Sequence, residues 1–183
     1  MSGPEAPARP ARWVVLVGMM GAGKTAVGAA LAAMLGWKNV DTDELVEKSE
    51  GKSVQEIFAS RGEQTFRALE ERAISSLAGW SEPLVVSVGG GAVLSAANRE
   101  ALRRLGAVVW LRALPATLAT RVGAGEGRPV LGAGATLERL VELCEQRRPY
   151  YEEVADLVID SDELSPEQVA SAIAHELRLG SFR

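Results

Sequence analysis

The stretch Gly18-Met19-Met20-Gly21-Ala22-Gly23-Lys24-Thr25 constrains this chain more than any other eight residues. It has the form G-x-x-x-x-G-K-[ST], directly after the apolar run Trp13 to Val17 and directly before a stretch with helical spacing. A strand that passes into a helix through such a turn leaves successive backbone N–H groups curled around one point. The helix N-terminus adds partial positive charge there, and Lys24 can reach the same place. The loop is therefore expected to hold the phosphates of a nucleotide, with Gly21, Ala22, Gly23, Lys24, Thr25 and Ala26 around them. The Thr25 hydroxyl is placed to meet Mg²⁺.

The rest of the chain supplies the sheet that such a loop needs. Short apolar runs recur at Trp13 to Val17, Asn39-Val40 leading into Asp41, Leu84 to Val88, Ala107 to Leu111 and Leu157 to Asp160. They read as buried parallel strands. Helical spacing lies between them: Val27, Ala30, Leu31, Met34 and Leu35 before Gly36; Phe66, Leu69, Ala73, Ile74 and Leu77; Leu137, Leu140, Val141 and Cys144; Val169, Ile173 and Leu177. Ser165, Pro166 and Gln168 announce the last helix with a capping box. Strands alternating with helices predict an α/β fold with a mostly parallel sheet covered on both faces. The 183 residues suit one domain, expected over 12–183 after a tail at 1–11. Residues 123–134, with five glycines, are expected to form a mobile lid loop.

Four further signals carry chemistry. Asp41-Thr42-Asp43 ends the second expected strand, where ligands of an open parallel sheet gather. One carboxylate could hold a metal-bound water while the other accepts from a substrate hydroxyl. The same residues also suit a helix N-cap, and the sequence leaves both uses open. Arg67 and Glu70 are i, i+3 neighbours, so the carboxylate can orient the guanidinium to grip a substrate carboxylate, although a solvated surface pair has the same spacing. Gly89-Gly90-Gly91 straight after a buried strand suggests a ligand lying against the backbone, or else a plain turn. Arg128 in the glycine-rich loop and Arg147 at the end of the following helix could neutralise phosphate or carboxylate charge, or sit at the surface.

Taken in order, G-M-M-G-A-G-K-T, D-T-D, F-R-x-x-E, G-G-G-A-V, R-P-V-L and R-R-P-Y-Y-E-E-V-A resemble the shikimate kinase family from about Trp13 to about Leu177. The resemblance implies a three-layer P-loop kinase fold, like that of nucleoside monophosphate kinases, with a five-stranded parallel sheet and a lid. It implies ATP-dependent phosphorylation of the 3-hydroxyl of shikimate, with Mg²⁺. By motif, Lys24 would contact the transferring phosphates, Thr25 would bind Mg²⁺ and Asp41 would stand in its outer sphere. Asp43 would bind the acceptor hydroxyls as candidate base. Arg67 and Arg147 would take the acceptor carboxylate beside Gly89, Gly90 and Gly91. Arg128 would arrive with the lid, and Arg121 and Pro166 would flank the adenine.

Composition excludes other classes. A net charge of −4 without a basic run disfavours nucleic acid. No apolar stretch reaches the ~20 residues that span a bilayer, and the first residues lack the apolar segment of a secretory signal. A cytoplasmic protein is expected, with the single Cys144 outside any internal disulfide, and a monomer is the simplest assembly. The N-K-x-D motif of guanine-nucleotide switches does not occur. A related sugar-acid kinase, such as a gluconate kinase, is the nearest rival, and a catalytically silent nucleotide binder is the third reading. His175 and the four tryptophans are expected to be structural or surface groups.

Overall fold

The computed structural model describes residues 13–123 and 137–179. The expected tail at 1–11 and the expected lid beyond Gly123, Arg128 included, lie outside the described residues.

Each expected strand forms, within a residue or two of its expected ends. β1 is Trp13–Val17, β2 Lys38–Asp41, β3 Leu84–Ser87, β4 Ala107–Arg112 and β5 Leu157–Asp160. They make one parallel sheet in the order β2-β3-β1-β4-β5. The chain steps out from β1 to β2, returns to β3, then crosses to β4 and β5 on the other side of β1. Loops leaving the carboxyl ends of β1 and its neighbours therefore diverge and open a crevice there. All five residues of β1 are buried, because neighbours pair with it on both sides and helices cover both faces.

The helices are α1 Lys24–Leu35, α2 Thr42–Glu50, α3 Val54–Ser76, α4 Ala96–Leu105, α5 Pro115–Val122, α6 Leu137–Val154 and α7 Pro166–Glu176. Gly36 ends α1 in the left-handed conformation, and the Ser165/Gln168 capping box opens α7. α3 breaks at Gly62, whose φ of 79° and ψ of 170° are not helical. Val46, Ile57 and Phe66 form a second, smaller apolar cluster that ties α2 to α3 beside the main core.

Two helix faces differ from the apolar stripes read in the sequence. On α1 the buried residues are Val27, Gly28, Leu31 and Ala32, while Met34 is 51% exposed. The small residues face the sheet because nothing larger fits: a Cβ on Gly28 would lie 2.8 Å from Ser87 Oγ and 2.9 Å from Asn39 Oδ1. On α6 the buried seam is Leu140, Leu143, Arg147, Tyr151 and Val154, with Leu137 and Val141 exposed and Cys144 only half-buried. A stripe sought among apolar residues alone could not include Arg147, the charged residue that fixes the seam.

Candidate functional site

The site assembles where β1, β2 and β3 end. After β1 the backbone turns through Gly21 and Gly23, with φ of 81° and 92°, angles that side-chain-bearing residues rarely adopt. The turn leads directly into the first turn of α1. Lys24, the first residue of α1, curls back over it and donates from Nζ to Gly18 O at 2.8 Å and Met19 O at 3.0 Å. Ala22 is buried in the core and hydrogen-bonds Met19 O through its N–H, so its side chain contributes packing.

Both uses of Asp41 coexist. Its Oδ1 accepts from Asp43 N at 2.9 Å and caps α2, while its Oδ2 accepts from Thr25 Oγ1 at 3.2 Å. A hydroxyl and a carboxylate side by side at the foot of a phosphate nest are hard oxygen donors, and they fit Mg²⁺. Asp43, two residues further on, lines the cavity. Its Oδ1 is buried without a partner. Burial, reinforced by Asp41, pushes its pKa up to about 6 against the pull of Lys24 and Arg67.

The opposite wall comes from α3 and α6. Arg67 Nη1 donates to Glu70 Oε2 at 2.8 Å, and Nη2 and Nε reach Glu63 Oε1 at 3.0 and 3.3 Å. Glu70 is no surface residue: its side chain is fully buried, and burial raises its pKa to about 7 although Arg67 opposes the shift. From α6, Arg147 Nη1 donates to Gly90 O at 3.0 Å, and the Tyr151 hydroxyl donates to the same carbonyl at 2.7 Å. The triple glycine is explained by these neighbours. A Cβ on Gly91 would fall 2.5 Å from Arg67 Nη1, one on Gly89 would collide with Glu70 Oε1, and one on Gly90 would sit 3.2 Å from Gly18 O. The glycine loop is thus wedged between the phosphate-loop backbone and the arginine wall: a Cβ at Gly89 or Gly91 would displace Glu70 or Arg67, and one at Gly90 would be tight against backbone.

A single cavity of about 550 Å³ joins the two halves. Gly21, Gly23, Lys24, Thr25, Ala26 and Asp41 line one part; Asp43, Arg67, Arg147 and Gly89, Gly90 and Gly91 line the other. Arg121 also reaches it, donating to Ser161 O at 2.6 Å and Asp162 O at 3.0 Å. Pro166 opens α7 a few residues beyond and is not among the described lining residues. Sequence reasoning missed Glu63, Phe58, Glu47 and the Tyr151 hydroxyl. Glu47 and Phe58 enter through the packing of α2 beside the start of α3, Glu63 follows the break at Gly62, and Tyr151 depends on the phase of α6, none of which a local pattern shows.

A phosphate-binding loop and a pair of arginines around one shared cleft define a P-loop phosphotransferase that works on a small acceptor. Comparison with known proteins narrows the class. The family model for shikimate kinase matches residues 20–178. A shikimate kinase of Symbiobacterium thermophilum is 46% identical, over 90% of this chain and 95% of its own length. A structure of the shikimate kinase of Acinetobacter baumannii in complex with shikimate superposes with a TM-score of 0.87 at 33% identity, covering 93% of this chain and 95% of that one. A gluconokinase from Sinorhizobium meliloti, at 22% identity and a TM-score of 0.56, shares the fold alone. The chain belongs to the shikimate kinase family.

Proposed function

We propose that this chain transfers the γ-phosphoryl group of ATP to the 3-hydroxyl of shikimate, the reaction of its family, with the residues of the 550 Å³ cavity in the following roles. The backbone of Gly21 and Gly23 and the Lys24 ammonium hold the outer phosphates and stabilise the charge that develops on them. Thr25 and Asp41 would hold Mg²⁺, which when bound would supply further neutralisation of phosphate charge. Arg67 and Arg147 hold the acceptor carboxylate, which fixes the distance from the nest at which the ring sits. Asp43 receives the hydrogen bond of the reacting hydroxyl, and its raised pKa keeps it able to take up a proton near neutral pH. Arg121 flanks the base, with Pro166 across from it. Arg128 lies outside the described residues and is assigned to the phosphates by its motif alone. All these groups belong to one chain, so a monomer suffices, and ATP as co-substrate together with an unpaired Cys144 suits a cytoplasmic setting.

The observation that carries the reading is the shared cavity, with Lys24 at one end and the Arg67 and Arg147 guanidiniums at the other. Arg67→Ala tests it. Removing two charge-assisted hydrogen bonds should raise the KM for shikimate by roughly 10²-fold with a smaller change in kcat. An unchanged KM would take Arg67 out of the acceptor site.

A further inference from the structure

Three of the five Arg67 N–H donors are already engaged by carboxylates in the free protein. One guanidinium donor, Nη1, is taken by the buried Glu70 at 2.8 Å. The side edge, Nε with Nη2, is taken by Glu63 Oε1 at 3.3 and 3.0 Å. The end of the fork, Nη1 with Nη2, abuts the Gly91 backbone, where a Cβ would come within 2.5 Å of Nη1. A side-on, bidentate carboxylate therefore has one edge to claim, and another carboxylate stands on it. The two carboxylates on Arg67 differ in how they can yield. Glu70 is sealed in the core, whereas Glu63 is 56% exposed and follows directly on the helix break at Gly62. Glu63 can swing into water as a solvated anion, and Glu70 cannot.

We propose that Glu63 occupies, in the free protein, the place on Arg67 that the acceptor's carboxylate takes, and so sets acceptor affinity by competing for that edge. This rests on Arg67 being an acceptor ligand, as proposed above. Glu70 and the Gly91 backbone hold the guanidinium in position, so releasing Glu63 does not set Arg67 adrift. The competitor keeps the arginine paired when the site is empty, and the acceptor must displace it to bind.

Isothermal titration with shikimate and with its methyl ester, on the wild type, Glu63→Gln and Glu63→Asp, tests this. The exchange of one partly exposed ion pair for another should make shikimate bind about two- to fivefold tighter in both variants. Glu63→Asp matters because it keeps the charge but is too short to keep the contact. The ester, which has no carboxylate to contest the edge, should bind equally to all three proteins. Circular dichroism verifies that each is folded. Weaker or unchanged shikimate binding in the variants would overturn the proposal and make Glu63 a support for Arg67. Tightening confined to Glu63→Gln, or shared by the ester, would also overturn it, because a general change of field would then explain the effect. Absence of any shikimate binding by the wild type would overturn the acceptor reading itself, together with this inference.

Discussion

Replacing Glu70 by glutamine should make the protein more stable in alkaline solution, although it deletes one half of an ion pair. Glu70 accepts from Arg67 through Oε2, but its Oε1 has no hydrogen-bond partner in a fully buried place, in the space that a Cβ on Gly89 would need. Burial is the strongest influence on it and raises its pKa from the ordinary 4.5 to about 7. A carboxyl whose folded pKa lies above its unfolded value lends its full stability only below the unfolded pKa, and loses it as pH rises through the folded one. For Glu70 that window runs from 4.5 to about 7. At about 1.4 kcal/mol for each tenfold change in proton affinity, the loss comes to about 3 kcal/mol. Glutamine keeps the shape and an acceptor for Arg67 but never ionises. The stability of Glu70→Gln relative to wild type should therefore rise by about 3 kcal/mol between about pH 5 and about pH 8, or roughly 6–12 °C in Tm for a domain of this size. Urea titration of both proteins at the two pH values reads it, and contributions from groups that do not interact with Glu70 cancel in the difference. A difference that stays constant with pH would refute the reasoning. A variant that loses ground at the higher pH would show that the Arg67 pairing outweighs the burial.

Lys24→Met should leave the fold and the melting temperature close to wild type while cutting kcat by roughly 10²- to 10³-fold, since its ammonium works on developing charge; near-normal turnover would remove Lys24 from the mechanism. The pKa of about 6 at Asp43 predicts that kcat/KM falls as pH drops below that value, because the protonated carboxyl can no longer take up the proton of the acceptor hydroxyl. A pH profile flat through that range would argue that Asp43 does not act through its charge. Thr25→Ala should raise the Mg²⁺ concentration needed for half-maximal rate about tenfold or more, and an unchanged requirement would place the metal elsewhere.

Most of the fold was legible because its signals are local. Five apolar runs, the glycine-lysine turn and the Ser165/Gln168 box each depend on a few adjacent residues, and all of them formed where expected. The acceptor side was legible only as separate pieces. Arg67 and Arg147 are 80 positions apart in sequence. What brings them onto one cavity is the return of β3 to the side of β1 and the rotation of α6, and neither has a sequence signature. Phase errors arose on α1 and α6 for one physical reason: burial there is decided by close approach and by a functional charge. Gly28 is buried because the sheet leaves no room, and Arg147 where it donates to Gly90 O beside Tyr151, so a scale of hydrophobicity passes over both. Glu70 was seen as Arg67's partner, but its full burial follows from the packing of α3 against the glycine loop.

The most direct test of the whole account is ADP release by the purified protein, followed with ATP and Mg²⁺ while shikimate or gluconate is offered as acceptor. Release should depend on shikimate and on Mg²⁺ and should stay at background with gluconate. Equal turnover of the two acceptors, or none with shikimate, would contradict it.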